Sequence, residues 1–511
     1  MNKDKLTNRI LQVIPGLLAW TVLTTPIWLG FTKPLIMIFF LTFLAFFWVY
    51  RAVIHSIGVY IGYKKYKEEI KIDWWEKCKE LNFAKLPNPN QLPLNISKIK
   101  HLIVIPTVNE PMSVLRNTFE GIAKNNIPKN NLYVAVTCEE RGAKEVKQRI
   151  EDIKKEFGKK IGKVFFFVHP AGIFGEAIGA AAANRTWGTK QAIKELKKRN
   201  ENTKNFIFST FDSDAKIHKR YLSRLTYAYL TAKDRKNRFY QTAVYLYDNN
   251  IWDVPPLMRI QANSVTLAII SSWIIEPARM ETFSAYSTSL DTVIKVGYWD
   301  VTLGVDDTPF FWNAYVKLNG NYKGIGFFVP ISSDAVQGKN FLDSHKSQYK
   351  QLVRWGWGVI VFPIAIKGFL KNKKIPVKER IFHTYYMLER YTIWRTITVL
   401  LTFGAITLYI VNPDAKSQSL AYSVPKITSA VLTFALIMLI PVSIFREKLV
   451  AKKPADWTWW KKAWTYIEGP LVLINLLTYS FIPYIYAETK FMFGKKMKDL
   501  YHVPKFRSND N

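Results

Sequence analysis

Apolar positions gather at the two ends of the chain, and the middle alternates short apolar runs with polar, periodic stretches. Residues 10–31 are uncharged, and 34–63 are apolar apart from a few polar positions such as Arg51 and His55. Further apolar runs cover 391–411, 427–445 and 471–487. A helix crosses a bilayer core in about 20 residues, so each run is an expected span. No small-residue cleavage site precedes the second run, which argues against a signal peptide. Residues 351–370 are apolar but broken by Arg354 and Pro363, the pattern of a helix lying in the interface. Residues 64–97 are basic and amphipathic, with Trp74 and Trp75 beside Lys77 and Lys79, which suits a membrane surface; 88–94 reads as a linker.

From His101 the pattern predicts strands at 101–106, 132–137, 163–168, 205–211 and 240–247, with helices such as 144–157 and 189–198 between them. Strands alternating with helices predict an α/β domain with a mostly parallel sheet covered on both faces. The 511 residues exceed one ordinary core.

Lys and Arg number 72 against 39 acids, a formal charge of +33. No groove-reading motif accompanies it, so nucleic acid is not an expected partner, and basic flanks beside spans suit anionic membrane lipids. Lys3, Lys5 and Arg9 precede the first span and Lys64, Lys65 and Lys67 follow the second. The positive-inside rule then predicts a multi-pass protein of the cell inner membrane with its central domain in the cytoplasm. The basic tail, 490–507, is expected there too, with four or six crossings. Cys78 and Cys138 imply neither a disulfide framework nor a zinc site.

Asp212-Ser213-Asp214 ends the fourth strand. Paired carboxylates there suit Mg²⁺ or Mn²⁺ against a diphosphate, since these ions take hard oxygen ligands and ligands bind beyond strand C-termini. The bland reading is a capped turn before a helix starting near His218. Pro106-Thr107-Val108-Asn109-Glu110 follows the first strand, Asp306-Asp307 lies within 304–308, and Gln351-Leu352-Val353-Arg354-Trp355 closes the domain. The acidic pair also reads as a helix N-terminus, and the Arg-Trp pair as an interfacial anchor.

Together, in this order and between membrane runs, these four motifs resemble the membrane-integrated family 2 glycosyltransferases that include cellulose, chitin and hyaluronan synthases. The resemblance implies a GT-A-like nucleotide-diphospho-sugar transferase domain flanked by transmembrane helices. It divides the chain into a hairpin (1–63), an amphipathic linker (64–97), a cytoplasmic transferase domain (98–348), interfacial helices (349–380), C-terminal spans (381–490) and a tail (491–511). It implies Asp307 as the base, with Asp306 beside it, and Asp214 as the metal ligand. Pro106, Asn109, Glu110, Glu139, Asp212 and Arg354 would meet the nucleotide-sugar donor, and Gln351 and Trp355 a glycan or lipid-linked acceptor. A fork-shaped Arg354 can grip phosphate and a flat Trp355 can stack on a sugar.

The chain departs from that pattern in three places. After the second strand, Glu139 or Glu140 stands where relatives carry Asp; 175–184 lacks the Lys of a Gly-Lys-Ala-like segment; and the acidic pair reads Val-Asp-Asp rather than the Thr-Glu-Asp of cellulose synthases. His169 reads as a turn or packed histidine, Tyr286, Ser287 and Thr288 as a turn where relatives line the acceptor path, and Arg390 and Arg395 as snorkelling cations. The expected activity is inverting sugar transfer that extends a polysaccharide, with accessory subunits left open. The alternatives are single-sugar transfer to a lipid-linked acceptor, an inactive nucleotide-binding homologue, and a transporter with a nucleotide-sensing domain. The last needs ionisable residues inside the spans, where few are expected.

Overall fold

The computed structural model describes residues 3–177, 179, 181–417 and 419–497; the expected tail beyond 497 lies outside them. Ten strands form: β1 (Lys100–Thr107), β2 (Leu132–Glu139), β3 (Lys163–His169), β4 (Phe206–Thr210), β5 (Lys216–Ile217), β6 (Arg238–Thr242), β7 (Tyr245–Leu246), β8 (Tyr286–Ser289), β9 (Lys323–Phe327) and β10 (Ile331–Ser332). Seven make one sheet in the order β3-β2-β1-β4-β8-β6-β9, and β5-β10-β7 make a small second one. All neighbours in the large sheet are parallel except β8, which runs against β4 and β6. The fold is therefore α/β with a mostly parallel sheet, as the alternating pattern predicts.

Both faces of the sheet are covered, which is why the central strands are apolar on both sides. One face packs Leu115, Phe119 and Ile122 of helix Met112–Ala123 and Val146, Ile150 and Ile153 of helix Ala143–Phe157. The spacing of the latter set is one helical stripe. The other face packs helices Ala181–Lys198 and Asp307–Lys317, with Trp312 fully buried.

Several expectations need correction. The strand expected at 240–247 is two strands in different sheets: Thr242 Oγ1 donates to the Val329 carbonyl (2.7 Å) and accepts from the Val244 N–H (3.0 Å), which turns the chain out of the large sheet. Tyr286, Ser287 and Thr288 are not a turn but the buried strand β8, with Ser287 Oγ 2.7 Å from Ser209 Oγ. The helix expected near His218 begins at Tyr221, because β5 intervenes. Trp74 does not rest on a membrane surface: it is buried against Tyr227, with the Arg224 guanidinium 4.3 Å from its ring.

Among the described residues, five helical segments are long and apolar enough to cross a membrane: Lys3–Leu23, Pro34–Glu69, Phe341–Lys371, Val377–Val411 and Leu471–Met492. The first ends before Thr25, so the run at 10–31 is two helices, with Pro26 opening the second. Phe341–Lys371, expected only in the interface, qualifies by length and composition. The run at 427–445 lies inside helix Ser419–Leu449, and the run at 471–487 breaks into helices Leu471–Leu477 and Ile482–Met492, the second opening at Pro483. Gly58 and Gly62, one turn apart on helix Pro34–Glu69, let helix Pro256–Ile275 approach: a Cβ there would lie 2.4 Å from Ser271 Oγ and 2.3 Å from Ile270 Cγ2. Arg390 and Arg395 do not snorkel. Arg390 pairs with Glu281 (2.8 Å) and Arg395 with the fully buried Glu488 (2.8 Å). Charges thus do occur in these segments, paired with a loop of the central domain in one case and with a neighbouring helix in the other.

Candidate active site

The site forms where β1, β2 and β4 end. Thr107 and Val108 close β1 by donating to Glu110 Oε2, the latter at 2.8 Å. Ser213 Oγ donates to Glu110 Oε1 at 2.9 Å, and Thr118 Oγ1 to the Ser213 carbonyl at 2.7 Å. Buried Glu110 thus latches the first motif to Asp212-Ser213-Asp214. Gly142 presses on the same loop, where a Cβ would lie 1.7 Å from the Val108 carbonyl oxygen. Pro106 is in β1, and Asn109 is exposed, accepting from Arg149 Nη1 at 2.9 Å.

Asp214 is 1% exposed; its Oδ2 accepts from Ser333 Oγ (2.7 Å) and the Asp334 N–H (2.8 Å), and its carbonyl from Asn249 Nδ2 (2.9 Å). That fixes the plane of its carboxylate. Asp212 is more open, with 42% of its side chain exposed, and its Oδ2 accepts from Ser284 Oγ.

Asp306 is the N-cap of helix Asp307–Lys317 and Asp307 its first residue, so the pair does stand at a helix N-terminus. Asp307 Oδ2 accepts the Ser284 N–H at 2.7 Å, and its carbonyl accepts from Thr282 Oγ1 at 2.7 Å. Ser284 has φ +44°, a left-handed conformation rare outside glycine. That turn aims its N–H at Asp307 and its hydroxyl at Asp212, so one residue ties the two motifs together.

The acids converge on a residue that the motif comparison passes over. Arg185, 1% exposed, donates from Nη1 to Asp306 Oδ2 and to Asp307 Oδ1 (2.9 Å), and its Nη2 lies 3.7 Å from Asp212 Oδ1. Its guanidinium also lies 5.6 Å from the Trp299 ring centroid. Helix Ala181–Lys198 holds it there. Asn184 Nδ2 donates to the carbonyls of Thr107 and Thr137 (both 3.0 Å), bridging β1 and β2, and a Cβ on Gly188 would lie 2.5 Å from Thr137 Cβ. The chain lacks the expected Lys in 175–184, but a cation stands one residue later. It was legible as the one charge between Glu176 and Lys190.

Burial and the adjacent Asp306 raise the Asp307 carboxyl well above the ordinary carboxylate range, against the opposing pull of Arg185. Burial likewise raises Glu139, which ends β2 and pairs with Arg141 at 2.8 Å. Glu140, its alternative, accepts instead from the Ala171 N–H at 2.8 Å. His169 is packed, 2.9 Å from Glu176 and against Trp187. Cys78 and Cys138 are free and buried.

Gln351, Arg354 and Trp355 sit on helix Phe341–Gly356. Gln351 Oε1 lies 3.4 Å from Gln348 Nε2, while Trp355 joins an apolar cluster with Met258, Leu352, Tyr479 and Tyr247. Burial, with the negative charges of Asp214 and Asp212, raises the Tyr247 hydroxyl above its ordinary value. Gly356 fixes the end of this helix: a Cβ there would lie 2.8 Å from Ala487 Cβ.

Among the described residues no group of three or more His, Cys, Asp or Glu side chains has metal-site geometry. Mg²⁺ commonly takes only one or two carboxylates and completes its shell with waters and substrate phosphates. The orientation of Asp214 and the openness of Asp212 fit that mode.

No protein-family model matches the sequence, and no curated protein does. Among solved structures, the chain is similar to mannosyltransferase PcManGT from Pyrobaculum calidifontis in complex with GDP-Man and Mn²⁺. Identity is 12%, coverage 86% of this chain and 99% of that one, and the TM-score 0.41. It is also similar to S. aureus TarS 1–349 in complex with UDP-GlcNAc, at 14% identity, coverage of 78% and 92%, and a TM-score of 0.35.

Proposed function

We propose that this chain is an inverting, metal-dependent glycosyltransferase. It uses a nucleotide-sugar donor at the cytoplasmic face of the inner membrane and extends a glycan. One observation carries the reading: Asp212, Asp306 and Asp307 meet on buried Arg185 beside Asp214, at the C-terminal edge of parallel strands.

The geometry supports the following roles. Asp307 is the base: its raised affinity for a proton suits it to take one from an acceptor hydroxyl. That oxygen bonds to the anomeric carbon, the bond from this carbon to the diphosphate oxygen breaks, and the diphosphate leaves with the electron pair. Asp214 and Asp212 would hold Mg²⁺ or Mn²⁺, which when bound supplies positive charge at the leaving diphosphate. Pro106, Asn109, Glu110 and Glu139 border the donor, and Arg185 neutralises the acids around the base. Arg354 serves the phosphates and Gln351 and Trp355 the acceptor, as the resemblance implies. The catalytic domain is 98–348, with the hairpin 1–63 and the segments after 381 holding it to the membrane.

Inversion is tested by the product. With an α-linked donor, the new glycosidic bond is expected to be β by NMR, and an α-linked product would overturn the mechanism.

A further inference from the structure

The loop between helix Pro256–Ile275 and β8 meets Asp307 on one side and the membrane segments on the other. Its last residues, 281–284, are pinned one by one. Glu281 Oε1 accepts from Trp312 Nε1 at 3.1 Å, and Thr282 Oγ1 donates to the Asp307 carbonyl at 2.7 Å. The Phe283 carbonyl accepts from buried Gln241, and the Ser284 N–H donates to Asp307 Oδ2 at 2.7 Å. Trp312 lies on the helix that Asp307 opens, so Glu281, Thr282 and Ser284 all hold that helix.

The other side of the loop is charged. Arg51 of helix Pro34–Glu69 pairs with Glu276 (2.5 Å), and Arg279 bridges Glu276 and Glu389 (both 3.2 Å). Arg390 pairs with Glu281 (2.8 Å), and Glu389 and Arg390 are neighbours on helix Val377–Tyr391. Three arginines and three glutamates therefore alternate from one candidate span, through the loop, to another. The Tyr386 ring lies 4.8 Å from the Arg279 guanidinium and 5.8 Å from that of Arg390, and such stacking holds a guanidinium in place.

The two sides meet at Glu281. Its side chain is 6% exposed, with one carboxylate oxygen on the helix of Asp307 and the other on the membrane helix. A buried carboxylate stripped of its cation is strongly destabilising, and moving it toward water relieves the cost. Such a movement reaches Ser284 three residues on. Ser284 holds a left-handed φ of +44°, a conformation that persists only while its surroundings over-determine it.

We infer that Glu281 and Arg390 are positioning residues for the base. Docking of helix Val377–Tyr391 on the central domain fixes the loop that carries Ser284, so Asp307 is aligned only while the membrane helix is in place. Both residues act through Ser284 and through helix Asp307–Lys317. The inference rests on the reading of Asp307 as the base of sugar transfer.

The test uses the full chain in lipid nanodiscs and reads amide hydrogen exchange at 281–285 together with nucleoside diphosphate release. Arg390→Met is expected to speed exchange at Ser284 and to lower kcat, each about tenfold, with nucleoside diphosphate affinity within about twofold. Amides of β1 and β4 are expected to exchange as in the wild type. Arg390→Lys keeps the charge and is expected to recover most of both losses. Adding Glu281→Gln to Arg390→Met removes the stranded charge and keeps an acceptor for Trp312, so Ser284 is expected to exchange more slowly than in Arg390→Met alone. Lys323→Met breaks a surface pair with Glu379 of the same helix (3.4 Å) and is expected to change neither reading. Exchange at Ser284 or kcat unmoved in Arg390→Met would overturn the inference. So would a double variant that exchanges as fast as Arg390→Met, a Lys323→Met that matches it, or a sheet that loosens along with the loop. Exchange needs no turnover. Faster exchange in Arg390→Met, in a chain that turns over no nucleotide sugar, would contradict the sugar-transfer reading and leave the clamp on Ser284 standing.

Discussion

Replacing Arg185 by Met removes the cation shared by Asp212, Asp306 and Asp307 and keeps most of its volume. Charges about 4 Å apart interact by about 4 kcal/mol at an effective dielectric near 20. Stripping one partner from a buried pair costs about 3–5 kcal/mol. That loss is spread over three acids, so roughly a third falls on Asp307, which is about one pK unit. The sign is fixed: Arg185 opposes the raised pKa of Asp307, so its removal raises that pKa further. A base works deprotonated, so the acidic limb of the rate profile moves to higher pH by about one unit. Asp306→Asn removes a like charge and moves the limb the other way. The melting temperature of Arg185→Met also falls, and falls most at high pH, where the stranded acids are ionised. Arg185→Lys keeps the charge but not the fork and lies between. The assay is nucleoside diphosphate release from pH 5 to 9, with melting curves alongside. An acidic limb in Arg185→Met that stays in place or moves down would refute the reasoning.

Asp307→Asn is expected to lower turnover by about 10² or more with nucleotide affinity little changed; a larger loss at Asp306→Asn would mean that Asp306 is the base. Asp214→Ala and EDTA are each expected to abolish transfer without affecting membrane insertion, with Mg²⁺ or Mn²⁺ restoring the wild type only; full activity in EDTA would contradict the metal role. Ser284→Gly is expected to melt above Ser284→Ala, since both lose the hydroxyl but only Ala pays about 1–2 kcal/mol for the left-handed backbone; the reverse order would show that Ser284 carries no strain. Ser508→Cys, in a background lacking Cys78 and Cys138, is expected to resist an impermeant maleimide in intact cells, as a cytoplasmic tail would.

The sheet was legible where strands are apolar on both faces, because β1, β2 and β4 read as continuous runs. It was not legible at β8, whose Tyr-Ser-Thr-Ser composition is that of a turn and whose burial depends on pairing between β4 and β6. Nor was it legible at β9, where Gly324 and Gly326 leave room for the Trp273 ring, a reason visible only in three dimensions. The acids could be found because their spacing is local. Arg185 could not be found by comparison with a lysine motif, since its role is set by Asn184 bridging two strands. Ser284 had no signal beyond a serine-rich stretch, for its φ and its two carboxylate partners come from the folded chain.

The most direct test of sugar transfer is a screen of nucleotide sugars with the purified full chain in nanodiscs, reading free nucleoside diphosphate. One donor is expected to be turned over with Mg²⁺ or Mn²⁺, and release is expected to vanish in Asp214→Ala and fall by about 10² in Asp307→Asn. Release from no donor by folded protein, or release that both variants retain in full, would contradict the account.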